Sequence, residues 1–279
     1  MFSRRQFLSV AATSAAVVAV SGCKCPFAGK PGIRVALQLY SVRDLFKADP
    51  AAVLKQVKEM GYAGVEFAGL AGKSPKEMRA MLDDNGLVAC GTHIGLNSIK
   101  PENIGKTMEE NQILGNPNLV VPGMNANTKE GWVEFAKIFN QAADTAAKNG
   151  MFVGYHNHQG EFKDKFDGVC KWEIFCSNIN PNVILQLDVG HVATAGEDPV
   201  AWMKKFPKRY RTIHAKEVYP SDGIMGQPPA GKKGVDWDGV IAFAKTDITQ
   251  WFIVEAEADP KTYKNVKGCI DFFKTKGLA

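Results

Sequence analysis

Eight short apolar runs recur along the chain, each followed by a longer stretch in which apolar residues return every three or four positions. The runs are Arg34–Tyr40, Gly64–Phe67, Val88–His93, Leu119–Pro122, Phe152–His156, Ile184–Val189, Thr212–Lys216 and Trp251–Glu255. They are rich in β-branched and aromatic residues and nearly continuous in apolarity, as strands buried on both faces are. The stretches between them carry helix signals. Asp49-Pro50 opens the first, Val53, Val57 and Met60 form its apolar stripe, and Gly61 ends it. Ser74-Pro75-Lys76-Glu77 opens the second, with Glu at the position that completes a capping box, and Asn85-Gly86 closes it. The longest helix is expected from Thr128 to Asn149-Gly150. Strand alternating with helix predicts a parallel α/β fold, and eight units predict one closed (β/α)8 barrel. No GxGxxG follows the first run, which speaks against a dinucleotide fold.

The two ends divide the chain. Ser3-Arg4-Arg5-Gln6-Phe7-Leu8 matches a twin-arginine export pattern, and the apolar stretch Val10 to Val20 is short for a membrane span. Residues 1–22 are therefore expected to be a cleaved export signal, 23–31 a short linker, and 32–279 the barrel domain. Val20-Ser21-Gly22-Cys23 resembles a lipoprotein cleavage box, with Cys23 as the lipidated end. The expected location is periplasmic, by the twin-arginine route, with an outer-membrane lipid anchor at Cys23. That lipid would be the chain's only membrane contact.

The formal charge of +5 falls to +3 when Arg4 and Arg5 are removed, because 32 basic residues then face 29 acidic ones. So mild a balance gives no reason to expect nucleic acid as a partner. The six cysteines (Cys23, Cys25, Cys90, Cys170, Cys176 and Cys269) contain no paired CxxC framework for structural zinc. The spacing of Cys170 and Cys176 does not demand a disulfide. Val218–Val235 is the longest connection, rich in Gly and Pro and carrying Lys232-Lys233. Leaving a barrel strand as it does, it is expected to act as a lid.

A parallel barrel gathers the C-terminal ends of its strands at one face. Glu161, Asp188, His214 and Glu255 stand at or just past such ends, spaced 27, 26 and 41 residues apart. Three carboxylates and one imidazole suit a divalent ion with positions left open for substrate. Glu257, two residues beyond Glu255, competes with it for the fourth place, since both share one strand face. All five histidines also fall at strand ends: His93, His156, His158, His191 and His214.

These motifs together resemble a known family. Tyr155-His156-Asn157-His158-Gln159-Gly160-Glu161-Phe162, Leu187-Asp188-Val189-Gly190-His191, Ile213-His214-Ala215-Lys216 and Val254-Glu255-Ala256-Glu257-Ala258-Asp259-Pro260 look like the sugar phosphate isomerase/epimerase superfamily, the xylose isomerase-like TIM barrels. Gln38-Leu39-Tyr40-Ser41-Val42-Arg43 and Gly61-Tyr62-Ala63-Gly64-Val65-Glu66-Phe67 fit the same pattern, so the resemblance spans the chain beyond its export signal. The His-Asn-His-x-x-Glu motif and the last motif look most like the inosose dehydratase and 3-keto-glycoside hydratase/lyase branches. The resemblance implies one divalent ion (Mn, Co, Mg or Zn) on Glu161, Asp188, His214 and Glu255. It also implies that Glu161 and Glu255 exchange protons with substrate.

Around that centre, His158 is expected to meet substrate close to Glu161, and His156 shares its face. His191 either moves a proton or orients Asp188. His93 is a sugar contact, Glu66 binds a hydroxyl or caps a helix, and Lys216 holds an anionic oxygen. The expected ligand is a small sugar or keto-sugar, with oligomeric state left open. An exported hydratase or lyase acting through an enediolate is the leading function. An aldose–ketose isomerase or epimerase on free sugars, or a non-catalytic sugar-binding lipoprotein, are the alternatives. An apurinic endonuclease would need more His and Asp ligands than are well placed here.

Overall fold

A computed structural model describes residues 32–218, 225–226, 233–256 and 258–279. Residues 1–31, which hold the expected export signal, Cys23 and Cys25, lie outside the described residues, as do most of the expected lid and Glu257.

Eight strands close into one parallel barrel: β1 Arg34–Gln38, β2 Gly64–Phe67, β3 Val88–His93, β4 Asn118–Val121, β5 Phe152–His156, β6 Val183–Asp188, β7 Thr212–Ala215 and β8 Trp251–Val254. Each pairs with its sequence neighbours, and β8 returns to β1 with Arg34 opposite Trp251. The single (β/α)8 barrel expected from the periodicity is the fold observed.

At two of the strand ends that differ from expectation, a local polar group explains the difference. β1 stops at Gln38 because the Gln38 side chain accepts a hydrogen bond from Tyr40 N (3.1 Å) and turns the chain into a short 3-10 segment, Leu39–Val42. β6 stops at Asp188 because its carboxylate accepts from His191 N (2.8 Å) and caps the helix Val189–Thr194.

The expected caps form. Asp49 caps Pro50–Met60, Ser74 and Glu77 make a reciprocal capping box on Pro75–Asn85, and Thr128 caps Lys129–Ala147. The helices lay Val53, Val57, Met78, Leu82, Trp132 and Phe139 against the barrel, all fully or almost fully buried. A two-stranded antiparallel hairpin, Lys165–Phe166 with Val169–Cys170, is an addition that no pattern announced. Cys90, Cys170, Cys176 and Cys269 are buried free thiols.

Candidate active site

The strand ends converge on an unusual density of imidazole and carboxylate. His93 stacks on His214 (ring centroids 5.2 Å), His214 meets His156 edge-on (4.5 Å), His156 meets His158 (5.0 Å), and His158 meets His191 (4.8 Å). All five histidines of the chain therefore join one continuous group, which explains their common position in the sequence.

Beneath them lies a polar floor. Glu66 on β2 has no exposed surface. Its carboxylate accepts from Gln38 Nε2 (2.8 Å), Gln186 Nε2 (2.8 Å) and His214 Nε2 (2.6 Å), with His93 Nε2 at 3.1 Å. Gln186 Oε1 in turn faces His93 Nε2 (2.9 Å) and His156 Nδ1 (3.1 Å). A register shift between Val65 and Glu66 sets Glu66 beside Gly91 on β3. Only a glycine fits there, since a Cβ on residue 91 would lie 2.2 Å from Glu66 Oε1.

His214 Nε2 is engaged by Glu66, and its Nδ1 faces Glu255 Oε2 at 3.0 Å and Asp188 Oδ2 at 4.0 Å. Burial opposes charge on His214, but Glu66 and Glu255 outweigh it and push its pKa up to about 10. Burial also works against the Glu255 carboxylate, yet His214 and then Lys216 hold its pKa well below the usual range. Asp188 goes the other way: burial first, and then the charge of Glu255, raise it to about 6 against the pull of Lys216. His191 is pushed down to about 4 by burial and by the Lys216 ammonium, whose Nζ is 3.2 Å from His191 Nε2 and 3.7 Å from Glu255 Oε2.

The donor set suits a divalent cation. His156, Asp188, His214 and Glu255 each offer one ligand atom, all within 4.8 Å of one another, and all four residues are buried. Asp188 Oδ2 has no hydrogen-bond partner although it is buried. An orphaned carboxylate oxygen is costly unless something charged sits beside it. With Nε2 of His214 turned to Glu66, Nδ1 is the nitrogen facing the group, as in carboxylate–histidine–metal arrangements.

Of the four residues expected as ligands, Asp188, His214 and Glu255 lie together; Glu161 is not among the side chains within that distance, and His156 is. Glu161 lies past β5 on the short helix Gly160–Lys163, where Oε1 accepts from Tyr155 Oη and Oε2 from His158 N, both at 2.8 Å. The helical turn directs its carboxylate back onto its own chain. Glu66, expected to meet a hydroxyl or cap a helix, is instead sealed into the floor.

Gln38, Gln186 and Asn157 carry structural weight that spacing alone did not single out. Asn157 mimics a strand: its Oδ1 accepts from Asp188 N (2.9 Å) and its Nδ2 donates to Asp188 O (3.3 Å), clamping β5 to β6. The available signal was a polar side chain inside an apolar run, Gln186 standing two before Asp188 and so on the same face.

Above this group opens a cleft of about 530 Å³, walled by Tyr40, Ala68, His93, Ile94, Gly95, Pro122, Gly123, His156, His158 and Glu255. Its size and mixed lining suit a small polar molecule.

Comparison with known proteins places these features in context. Residues 54–275 match the model of the xylose isomerase-like TIM barrel family. Inosose dehydratase 1 of Bacillus cereus is 29% identical over 150 residues, covering 48% of this chain and 49% of that protein. The chain thus spans about half the length of the inosose dehydratases it matches. A sugar phosphate isomerase/epimerase from Parabacteroides distasonis superposes with a TM-score of 0.74 at 24% identity, covering 87% of this chain and 98% of the other. The probable 3-DHS dehydratase AsbF of Bacillus anthracis superposes with a TM-score of 0.62 at 14% identity, covering 87% and 99%. At these identities the two structures show the shared fold.

Proposed function

Because the chain belongs to the xylose isomerase-like TIM barrel family, we propose that it is a divalent-metal-dependent hydratase or lyase acting on a keto-sugar or 3-keto-glycoside through an enediolate. The observation that carries this reading is the buried, unpartnered Asp188 Oδ2 among His156, His214 and Glu255. The similarity to inosose dehydratases supports it.

His156, Asp188, His214 and Glu255 would hold a divalent ion, which would supply positive charge beside the oxygens that turn negative. The chain's own groups do the rest. Glu255 is ionised at neutral pH and borders the cleft, so it takes the proton from the carbon next to the carbonyl. The Lys216 ammonium, bonded to a neutral His191, gives a proton to the departing oxygen, a hydroxyl in a free keto-sugar or the glycosidic oxygen in a 3-keto-glycoside. One C–H bond and one C–O bond break, a C=C bond forms, and water or the aglycone alcohol leaves; addition runs the same steps in reverse. His93 and His158 line the cleft and hydrogen-bond sugar hydroxyls. Glu66 keeps His214 Nδ1 turned towards the group. Glu161 orders the His158 turn instead of exchanging protons.

The reading extends to location: residues 1–22 direct twin-arginine export and Cys23 becomes the lipidated N-terminus. Intact mass of the protein from its native envelope tests this.

Metal content of the whole purified chain, beside Asp188→Ala and Glu161→Ala, tests the site. About one ion per chain is expected in the wild type and in Glu161→Ala, and none in Asp188→Ala. Run in the hydration direction in heavy water, the reaction should place deuterium on the carbon next to the carbonyl. Full metal in Asp188→Ala, or a wild type that takes up no divalent ion, overturns the proposal.

A further inference from the structure

Tyr40 stands at a junction between two hollows. Tyr40 is 43% exposed, whereas Phe67, at the end of β2, is fully buried in the core. Tyr40 and Ala68 wall the main cleft, and both also wall an adjoining hollow of about 220 Å³. Leu39, Arg43, Phe46 and Lys47 line the rest of that hollow, with Gly69 and Ala71 of the loop after β2.

The ring is braced. The Arg43 guanidinium lies 4.4 Å from its centroid, Arg43 Nη1 donates to Tyr40 O (3.0 Å), and Tyr40 N donates to Gln38 Oε1 (3.1 Å). The facing loop is held in a demanding conformation, with φ of 102° at Gly69, 50° at Ala71 and 79° at Gly72. A positive φ at alanine is uncommon, and such strain gathers at ligand clamps.

We propose that this hollow is a subsite for a second sugar ring, so that the substrate is a glycoside of at least two rings. This rests on the reading of the main cleft as a keto-sugar site. The keto ring occupies the main cleft, the glycosidic bond passes Tyr40, and the second ring packs over the Tyr40 and Phe46 side of the hollow. An aromatic face meets the C–H surface of a pyranose, and the lining holds two cationic donors and no acid, which suits hydroxyl oxygens. Because Tyr40 borders both hollows, one linked ligand spans them, and the second ring binds at a high effective concentration.

Calorimetry on the whole chain in manganese buffer, comparing methyl 3-keto-glucoside with the 3-keto derivative of a β-linked glucose disaccharide, tests this. The disaccharide is expected to bind at least about tenfold more tightly. Arg43→Ala should shrink that advantage severalfold, with a melting curve to confirm folding; the exposed Lys47→Ala replaces it if Arg43→Ala fails to fold. Equal affinity of the two ligands for the wild type overturns the second-ring subsite and leaves the keto-sugar site standing. An undiminished advantage in the folded variant puts the second ring elsewhere and also overturns it. Binding of neither ligand overturns the keto-sugar reading and this inference together.

Discussion

Glu66 shows how much one buried side chain decides. It touches four polar partners, and through His214 it selects which imidazole nitrogen faces the candidate metal group. Glu66→Gln keeps the shape but removes the charge beneath His214. It is expected to weaken divalent-ion affinity about ten- to a hundredfold, as measured by chelator competition; unchanged affinity would show that His214 needs no such partner. Gly91→Ala is the steric counterpart. Its methyl would collide with the Glu66 carboxylate, so a stability loss of about 1–3 kcal/mol in urea unfolding is expected. The sequence marked Glu66 as a strand-end polar residue, but its role depends on the register shift beside Gly91, which leaves no trace in spacing.

At the scale of elements, the connection after β7 is organised by one buried carboxylate. Glu217 accepts from Val218 N (2.9 Å) and Val235 N (3.1 Å) on Oε1, and from Gly226 N (3.1 Å) and Trp237 Nε1 (2.9 Å) on Oε2. Both ends of the long Gly- and Pro-rich stretch are thereby tied beside Lys216. Glu217→Ala leaves buried donors without an acceptor, so it should cost about 1–3 kcal/mol or more and open the stretch to protease. Limited proteolysis compared with wild type checks this, and equal cleavage rates would dismiss the anchor. The helix caps were legible from sequence because a cap and its target are three residues apart. The Glu217 anchor joins residues up to 20 apart and was not.

For the whole molecule, the core sets an alkaline limit. Burial raises the thiols of Cys90 and Cys176 and the phenols of Tyr62, Tyr155 and Tyr210 well above their usual range, and it pushes Cys269 up to about 12. The folded state therefore keeps these protons to higher pH than the unfolded chain does. The stability they contribute is complete below the unfolded values, about 8.5 for a thiol and 10 for a phenol, and is lost as pH rises through the folded ones. The melting temperature should fall steadily above about pH 9. The phenolate absorbance of these three tyrosines should appear only with unfolding. Early phenolate absorbance from all six tyrosines would contradict the burial seen here.

The chain by itself determined the barrel, most strand limits and the principal caps, because apolar period, Pro at a helix start and Gly at its end act over a few residues. It also determined that Asp188, His214 and Glu255 meet, since a closed parallel barrel carries every strand end to one face. Tertiary structure alone decided the fourth member of that group. Past its strand Glu161 enters a helical turn and bonds to Tyr155 and His158, so His156, still on the strand, takes the inward place. The polar floor and the hollow beside Tyr40 were likewise settled in three dimensions. They arise where neighbouring strands and loops, remote in sequence, approach closely enough for one side chain to fix the position of another.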